Sequence, residues 1–432
     1  MPSLSDKLKS LGVKVGTQDL SIQLSPQPQQ ATDLEQTLLG HPLINSQGET
    51  FIVETHYPLE YQQGRVGLWS TAELRMMSAW AGNIKLAQLS PQSYAFLDTE
   101  TTGLSGGTGT YAFLVGIARF EDDEFHLAQF FMRDPYEEPA LLLALEEFLA
   151  PCQALVTFNG KTFDAPLLNT RYLYHGWRSP LLELAHVDLL HLARRLWRER
   201  LPSRTLGNLE VQILGSQRTE EDIPGWAIPQ MYFDYLRSGD PTPLKSVFYH
   251  NAMDVVSLAA LFNHMAGLLA NPGEAPIEHG VDLIALARLY EDLGEIDTAV
   301  ELYLHGLDFE DLNSSTIAPE FRLSRAALLD AIQRLALIHK HREDYQTAVL
   351  LWEKAASYQH IQAHIELAMF YEHRLRQYEE ALGWAKSALV LVESERFQPY
   401  ERFRWQADLE RRIDRLLRKL RGSEKAGDGS TN

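Results

Sequence analysis

YAFLDTETTGL, residues 94–104, decides how this chain is read. An apolar run rich in strand formers ends on Asp98, and Glu100 follows two residues later. Side chains at i and i+2 of an extended segment point to the same side, so both carboxylates are presented together at the mouth of a strand. A Gly-containing turn follows. Hard divalent cations take oxygen ligands, and such a pair suits them. Further along, FNGKTFDAPLL places Asp164 where a strand and turn enter a helix, and YHNAMDVVSL places Asp254 inside a helix with Tyr249 and His250 upstream. Four carboxylates on these elements can hold two Mg²⁺ or Mn²⁺ ions, about 3.5–4 Å apart in phosphodiester-cleaving sites.

Working outward, YAFLD, TYAFLVGIARF and EFHLAQFFM read as three consecutive strands, the last two joined by the tight polar turn EDDE. EEPALLLALEEFLA reads as a helix with acids in its first turn, ALVTFN as a short buried strand, and FDAPLLNTRYLYHG as a helix. HVDLL leads into the helix LLHLARRLW, and LKSVFYHNAMDVVSLAALFNHMAGLL is the last long helix. The expected class is α/β, a mixed sheet flanked by helices. Residues 1–90 read as an N-terminal extension with a short amphipathic helix, the polar stretch QLSPQPQQATD and a strand-like GETFIVETHYPL. Residues 91–272 form the main domain, 276–421 an all-α repeat domain, and 422–432 a disordered tail.

The repeat assignment rests on LARLYEDLGEIDTAVELYLHGL, LALIHKHREDYQTAVLLWEKAA and LAMFYEHRLRQYEEALGWAKSAL. Ala287, Ala336 and Ala368 align in the first helix of each unit, and Ala299, Ala348 and Ala381 in the second. Small residues at these points let paired helices approach closely, as in tetratricopeptide repeats, with an insertion over roughly 308–325.

The chain resembles the DEDD exonucleases of the ribonuclease-H-like superfamily through DTETTG, through Asn159, Phe163 and Asp164, and through Asp254. GLSGGTGTYAFLVGIARF, VTFNGKTFD, RRLW, IPQMYFDYL and HNAMDVVSL are similar to a YprB-like bacterial branch whose members often carry tetratricopeptide repeats. The resemblance covers roughly residues 30–270. It implies a ribonuclease-H-like fold and a 3′–5′ exonuclease that acts on a single-stranded DNA or RNA end with two metal ions. It also implies that Asp98 bridges both ions, that Glu100 and Asp254 complete one site, and that Asp164 supports the other. In the family, the residue that handles the water is a Tyr four positions before the last Asp or a His five before it. Here His250 lies four before Asp254 and Tyr249 five before. Four residues return a side chain to the same helix face, which favours His250, with Tyr249 second. Thr101, Asn159 and Lys161 are candidate substrate contacts.

Other motifs read as structural. Asp188 in HVDLLHL has the character of a helix cap, and His186 and His191 are weak candidates for any role. SGGTGTYA contains G-x-G-x-x-A, but a strand follows it rather than the helix a dinucleotide site needs. NGKT mimics the end of a P-loop, yet Leu155 stands where its first Gly is required.

The chain has 432 residues, 45% hydrophobic and 22% charged, ordinary for a soluble protein. A net charge of −19 argues against coating nucleic acid by bulk electrostatics, although arginines cluster at 194–204 and in the basic helix from Glu401 to Lys425, which reads as a solvated face. A single cysteine, Cys152, fits a reducing compartment, and the N-terminus lacks a signal-peptide core. No apolar run is expected to span a bilayer, so the reading is cytoplasmic with no membrane partner. A protein partner for the repeats is the remaining expectation. The alternative is a catalytically silent scaffold that binds protein or nucleic acid through them.

Overall fold

The computed structural model describes residues 33–103, 109–274, 277–313, 324–393 and 399–428. The expected N-terminal helix and polar stretch therefore lie outside the described residues, as do much of the Gly-rich segment after Gly103 and most of the repeat insertion.

One seven-stranded sheet organises the first part of the chain, in the order β1-β2-β7-β6-β5-β8-β9. Its strands are β1 (His41–Asn45), β2 (Gly48–Pro58), β5 (Tyr94–Thr101), β6 (Ala112–Glu121), β7 (Glu124–Phe131), β8 (Ala154–Thr157) and β9 (Ala185–Asp188). A separate pair, β3 (Gln62–Gln63) and β4 (Val66–Gly67), stands apart from it. β1, β2, β7, β6 and β5 run antiparallel in turn, whereas β8 pairs parallel with β5 and β9 parallel with β8. The sheet thus reaches back past residue 90: β2 pairs with β7 from Phe51↔Phe131 to Pro58↔Glu124. The N-terminal segment supplies two strands of the main sheet.

Alternation along β5 sorts its side chains between two cores. Tyr94 and Phe96 pack with Leu189, Leu192 and Trp197 of α5 (Leu189–Trp197) and with the C-terminal half of α8 (Leu244–Ala270). Ala95 and Leu97 pack on the other face with α3 (Glu138–Leu149), α4 (Asp164–Tyr174), α7 (Ile228–Ser238) and the start of α8. Short helices α1 (Leu34–Leu38), α2 (Arg75–Ala81) and α6 (Leu206–Leu209) complete this part, the last running into a π-helical turn over Glu210–Leu214. By length and composition α8 is apolar enough to cross a membrane, which corrects the expectation that no segment is. It is a core helix, with most of its apolar stretch buried.

From residue 280 the elements among the described residues are helices: α9 (Gly280–Asp292), α10 (Ile296–Asn313), α11 (Arg325–His341), α12 (Tyr345–Ser357), α13 (Ile361–Phe370), α14 (Tyr378–Glu393) and α15 (Pro399–Asp428). Successive helices pack on one another, and the six aligned alanines are all fully buried. The core of the α5/α8 face continues without a break into α9–α13.

The arginine clusters are spent on structure. Arg195 pairs with Asp292, and Arg200 lies 2.9 Å from Asp282, tying α5 and the turn after it to α9. On α15, Arg412, Arg415 and Lys419 converge at 2.8–3.0 Å on the buried carboxylate of Glu372. Arg415 and Lys419 stay partly exposed around this one buried carboxylate, and Arg411 on the same helix is solvated as expected.

Candidate active site

Asp98 and Glu100 lie on β5 beyond its pairing with β8, which covers only Tyr94–Phe96. They share the strand face of Tyr94 and Phe96, the face on which α8 lies, and α8 brings Asp254 and His250 to them. Ligand atoms of Glu100, His250 and Asp254 all fall within 4.8 Å of one another. The four-residue spacing sets His250 Nε2 3.6 Å from Asp254 Oδ2.

Asp98 is fixed from α8 as well. Asn251 Nδ2 donates to Asp98 Oδ2 at 3.1 Å, while Asn251 Oδ1 accepts from Gln129 Nε2 at 2.9 Å. Asn251 is fully buried, and it reaches β5 over Gly116, the residue paired with Asp98 on β6. A Cβ at Gly116 would meet Asn251 Oδ1 at 2.1 Å, so only glycine leaves room for this bond.

Asp164 arrives from the opposite face. Thr99, whose side chain alternates away from Asp98 and Glu100, donates its hydroxyl to Asp164 Oδ1 at the start of α4. Asp164 is thus the first residue of its helix and not its cap. It and Asp98 lie outside the set of three within 4.8 Å, but all four carboxylates feel one another. Burial and then the charge of Asp254 push Asp98 well above the usual carboxylate range, and the same two causes raise Glu100. Burial lifts Asp164 to about 6, partly offset by the Thr99 bond, and burial also raises Asp254.

Two comparisons with known proteins place this geometry in a family. Residues 95–266 match the RNase H superfamily. The uncharacterized protein YprB of Bacillus subtilis (strain 168) is 36% identical over 363 residues, covering 81% of this chain and 82% of that protein. The chain belongs to the RNase H superfamily, on its YprB-like branch. Its ribonuclease-H-like domain is therefore a nuclease-superfamily domain with its acidic residues gathered together, and nucleic acid is the implied substrate. The donor set fits the divalent cations such domains typically use, because carboxylate oxygens gather there beside one imidazole.

The other residues singled out in the sequence take different places. The Tyr249 hydroxyl accepts from the Thr219 N–H at 3.1 Å, next along the chain from Arg218. Asn159 adopts φ +67°, a conformation asparagine tolerates, and its N–H donates to Asp188 Oδ1 at 2.8 Å. The Lys161 N–H donates to Asp188 Oδ2 at 3.1 Å, and the side chain is exposed. Asp188 accepts from Leu190 N–H to cap α5, so one buried carboxylate holds both the helix and the loop that leads to Asp164. The Thr101 hydroxyl donates to the Gly103 carbonyl at 3.0 Å. His186 bonds Thr157 at 2.8 Å and burial lowers it to about 4, while exposed His191 lies 4.0 Å from Asp188.

Besides Asn251, three residues of the site escaped the sequence reading, all from the connector between α5 and α8. Arg218 donates to Asp254 Oδ1 and grips Glu210 through Nε and Nη2 at 2.7 and 2.6 Å. Asp222 Oδ1 lies 2.7 Å from His250 Nδ1. Arg218 Nη1 lies 3.1 Å from the same ring nitrogen, while Nε2 lies on the side of Glu100 and Asp254.

Proposed function

We propose that this protein is a divalent-metal-dependent DEDD-type 3′–5′ exonuclease that hydrolyses phosphodiester bonds at a single-stranded end of DNA or RNA. The observation that carries the reading is the meeting of Asp98, Glu100, Asp254 and His250 on one face of β5, with Asp164 against the same strand end through Thr99. Crowding of this many carboxylates is unfavourable by itself and favourable around cations. When bound, two Mg²⁺ or Mn²⁺ ions would supply Lewis-acid activation of water and charge stabilisation on the leaving oxygen.

The chain's own groups have separable tasks in this reading. Asp98, Glu100 and Asp254 bind the cations from the α8 side, and Asp164 completes the set from the α4 side. Asn251 orients Asp98. Asp222 holds the His250 ring from its Nδ1 side, and Nε2 accepts the proton of the attacking water. The helices from α9 onward form tetratricopeptide-like repeats that bind a protein partner, a reading supported by the buried alanines at matching positions. A scaffold without catalysis has no use for clustered carboxylates, and no observation here favours it.

The test is a panel of 3′- and 5′-labelled DNA and RNA oligonucleotides incubated with Mg²⁺, Mn²⁺ or chelator. Metal-dependent shortening from the 3′ end is expected. Cleavage that persists in chelator, or in an Asp98→Asn protein, overturns the assignment.

A further inference from the structure

Arg218 is held where a cation ligand would be shared. Its side chain is only 12% exposed, and Glu210, 2% exposed, grips it with both carboxylate oxygens. This fork–fork pairing fixes the guanidinium plane independently of the carboxylate cluster. From that anchored position Nη2 donates to Asp254 Oδ1, while Nη1 lies 3.3 Å from Asp222 Oδ1 and 3.1 Å from His250 Nδ1. Glu210 is not among the carboxylates that gather around Glu100, so it charges the site with Arg218 and adds no ligand to it.

One oxygen of Asp254 is therefore engaged by a positive group that the fold holds in place. The other, Oδ2, faces His250 Nε2 at 3.6 Å. A divalent ion held by Glu100 and Asp254 would meet Arg218 as a repelling neighbour, with only Oδ2 of Asp254 not already engaged by it. The geometry points to Arg218 as a resident cation of this site, anchored by Glu210, that competes with the divalent ion for Asp254 and keeps its affinity low. This rests on the metal-site reading above. Arg218 is in this view a tuning residue for cation occupancy, and it touches no reacting atom.

Calorimetric titration of Mn²⁺ into the full chain tests it, comparing wild type with Arg218→Met, Arg218→Lys and the double variant Arg218→Met/Glu210→Gln. The double variant removes the carboxylate that Arg218→Met alone would strand in a buried position, and thermal melts establish which proteins are folded. The expected result is one equivalent of Mn²⁺ bound about tenfold or more tightly in Arg218→Met and in the double variant, with Arg218→Lys close to wild type. Damage to the fold does not tighten a metal site, so a gain separates competition from scaffolding. Unchanged or weaker binding in a folded Met or double variant, with wild type binding normally, overturns the role of Arg218 and leaves the metal site standing. No Mn²⁺ binding in any of the proteins overturns both.

Discussion

Asn251 reaches Asp98 across Gly116, and each of these three positions depends on the others. The 3.1 Å bond from Asn251 Nδ2 to Asp98 Oδ2 exists because β6 carries no side chain where the amide passes. Gln129 and the Phe248 carbonyl close the arrangement from β7 and α8. Gly116→Ala is expected to force the amide aside and destabilise the protein by about 1–3 kcal/mol, the usual range for overpacking a filled core. Urea unfolding reads the change. A variant as stable as wild type, with unaltered Mn²⁺ binding, would show that the contact does not matter.

Asp98→Asn should separate activity from stability. Removing one of four mutually repelling carboxylates relieves the burial and charge penalties that raise Asp98 and its neighbours. Nuclease activity is expected to fall by about 10³-fold or more, while the metal-free melting temperature rises. A metal-free protein that melts lower than wild type would show that Asp98 stabilises the fold and is not strained within it.

The same groups make a contribution of definite sign to the pH dependence of metal-free stability. Asp164 goes from an ordinary 3.8 when unfolded to about 6 when folded, and Asp98 and Glu100 are also raised. Between the unfolded and folded values these groups hold more protons in the native state than in the unfolded chain, so their contribution to stability falls as pH rises. His186 and His264, lowered by burial to about 4, act in the opposite sense with and without metal alike. The loss from the carboxylates should begin near pH 4 and continue through and beyond pH 6. Saturating Mn²⁺ should reverse it, since cation binding needs the deprotonated carboxylates. Melting temperatures from pH 4.5 to 8, with chelator and with Mn²⁺, measure both slopes; parallel curves would contradict the prediction.

How much of this was legible in the sequence follows from the range over which each signal acts. Period-two alternation placed Asp98 and Glu100 together, and helical periodicity placed His250 beside Asp254; both are local rules acting on neighbouring residues. Arg218, Glu210 and Asp222 sit in a polar connector with no period of its own, and only the path of the chain brings them to α8. Asn251 was hidden in plain view, because one buried amide in a helix looks like any other polar residue until its partners on β5 and β7 are known. β1 and β2 were missed as members of the main sheet for the same reason: pairing Phe51 with Phe131 is a long-range event that alternation cannot announce.

Asp222 gives a prediction about orientation rather than charge. Its carboxylate fixes the His250 ring from behind, as carboxylates behind functional imidazoles commonly do. Asp222→Asn is expected to lower kcat by about tenfold to a hundredfold with little effect on the melting temperature. An unchanged kcat in the folded variant would assign the His250–Asp222 contact to packing.

The shared core between the sheet and the C-terminal helices predicts that the two parts unfold together. Tyr290 on α9 donates its hydroxyl to the Leu269 carbonyl at the end of α8 at 2.6 Å. Near the start of α9, Arg200 meets Asp282 at 2.9 Å with side chains only 10% and 13% exposed. Truncating one member of such a pair strands the other charge, so Asp282→Ala should cost about 3 kcal/mol or more. If the core is continuous, calorimetry of this variant shows a single transition moved as a whole to lower temperature, and Mn²⁺, bound far from the substitution, moves that same transition back up. Two transitions, only one of them responding to the substitution, would mean that the C-terminal helices and the nuclease domain fold as separate units despite the apolar contact that joins α8 to α9.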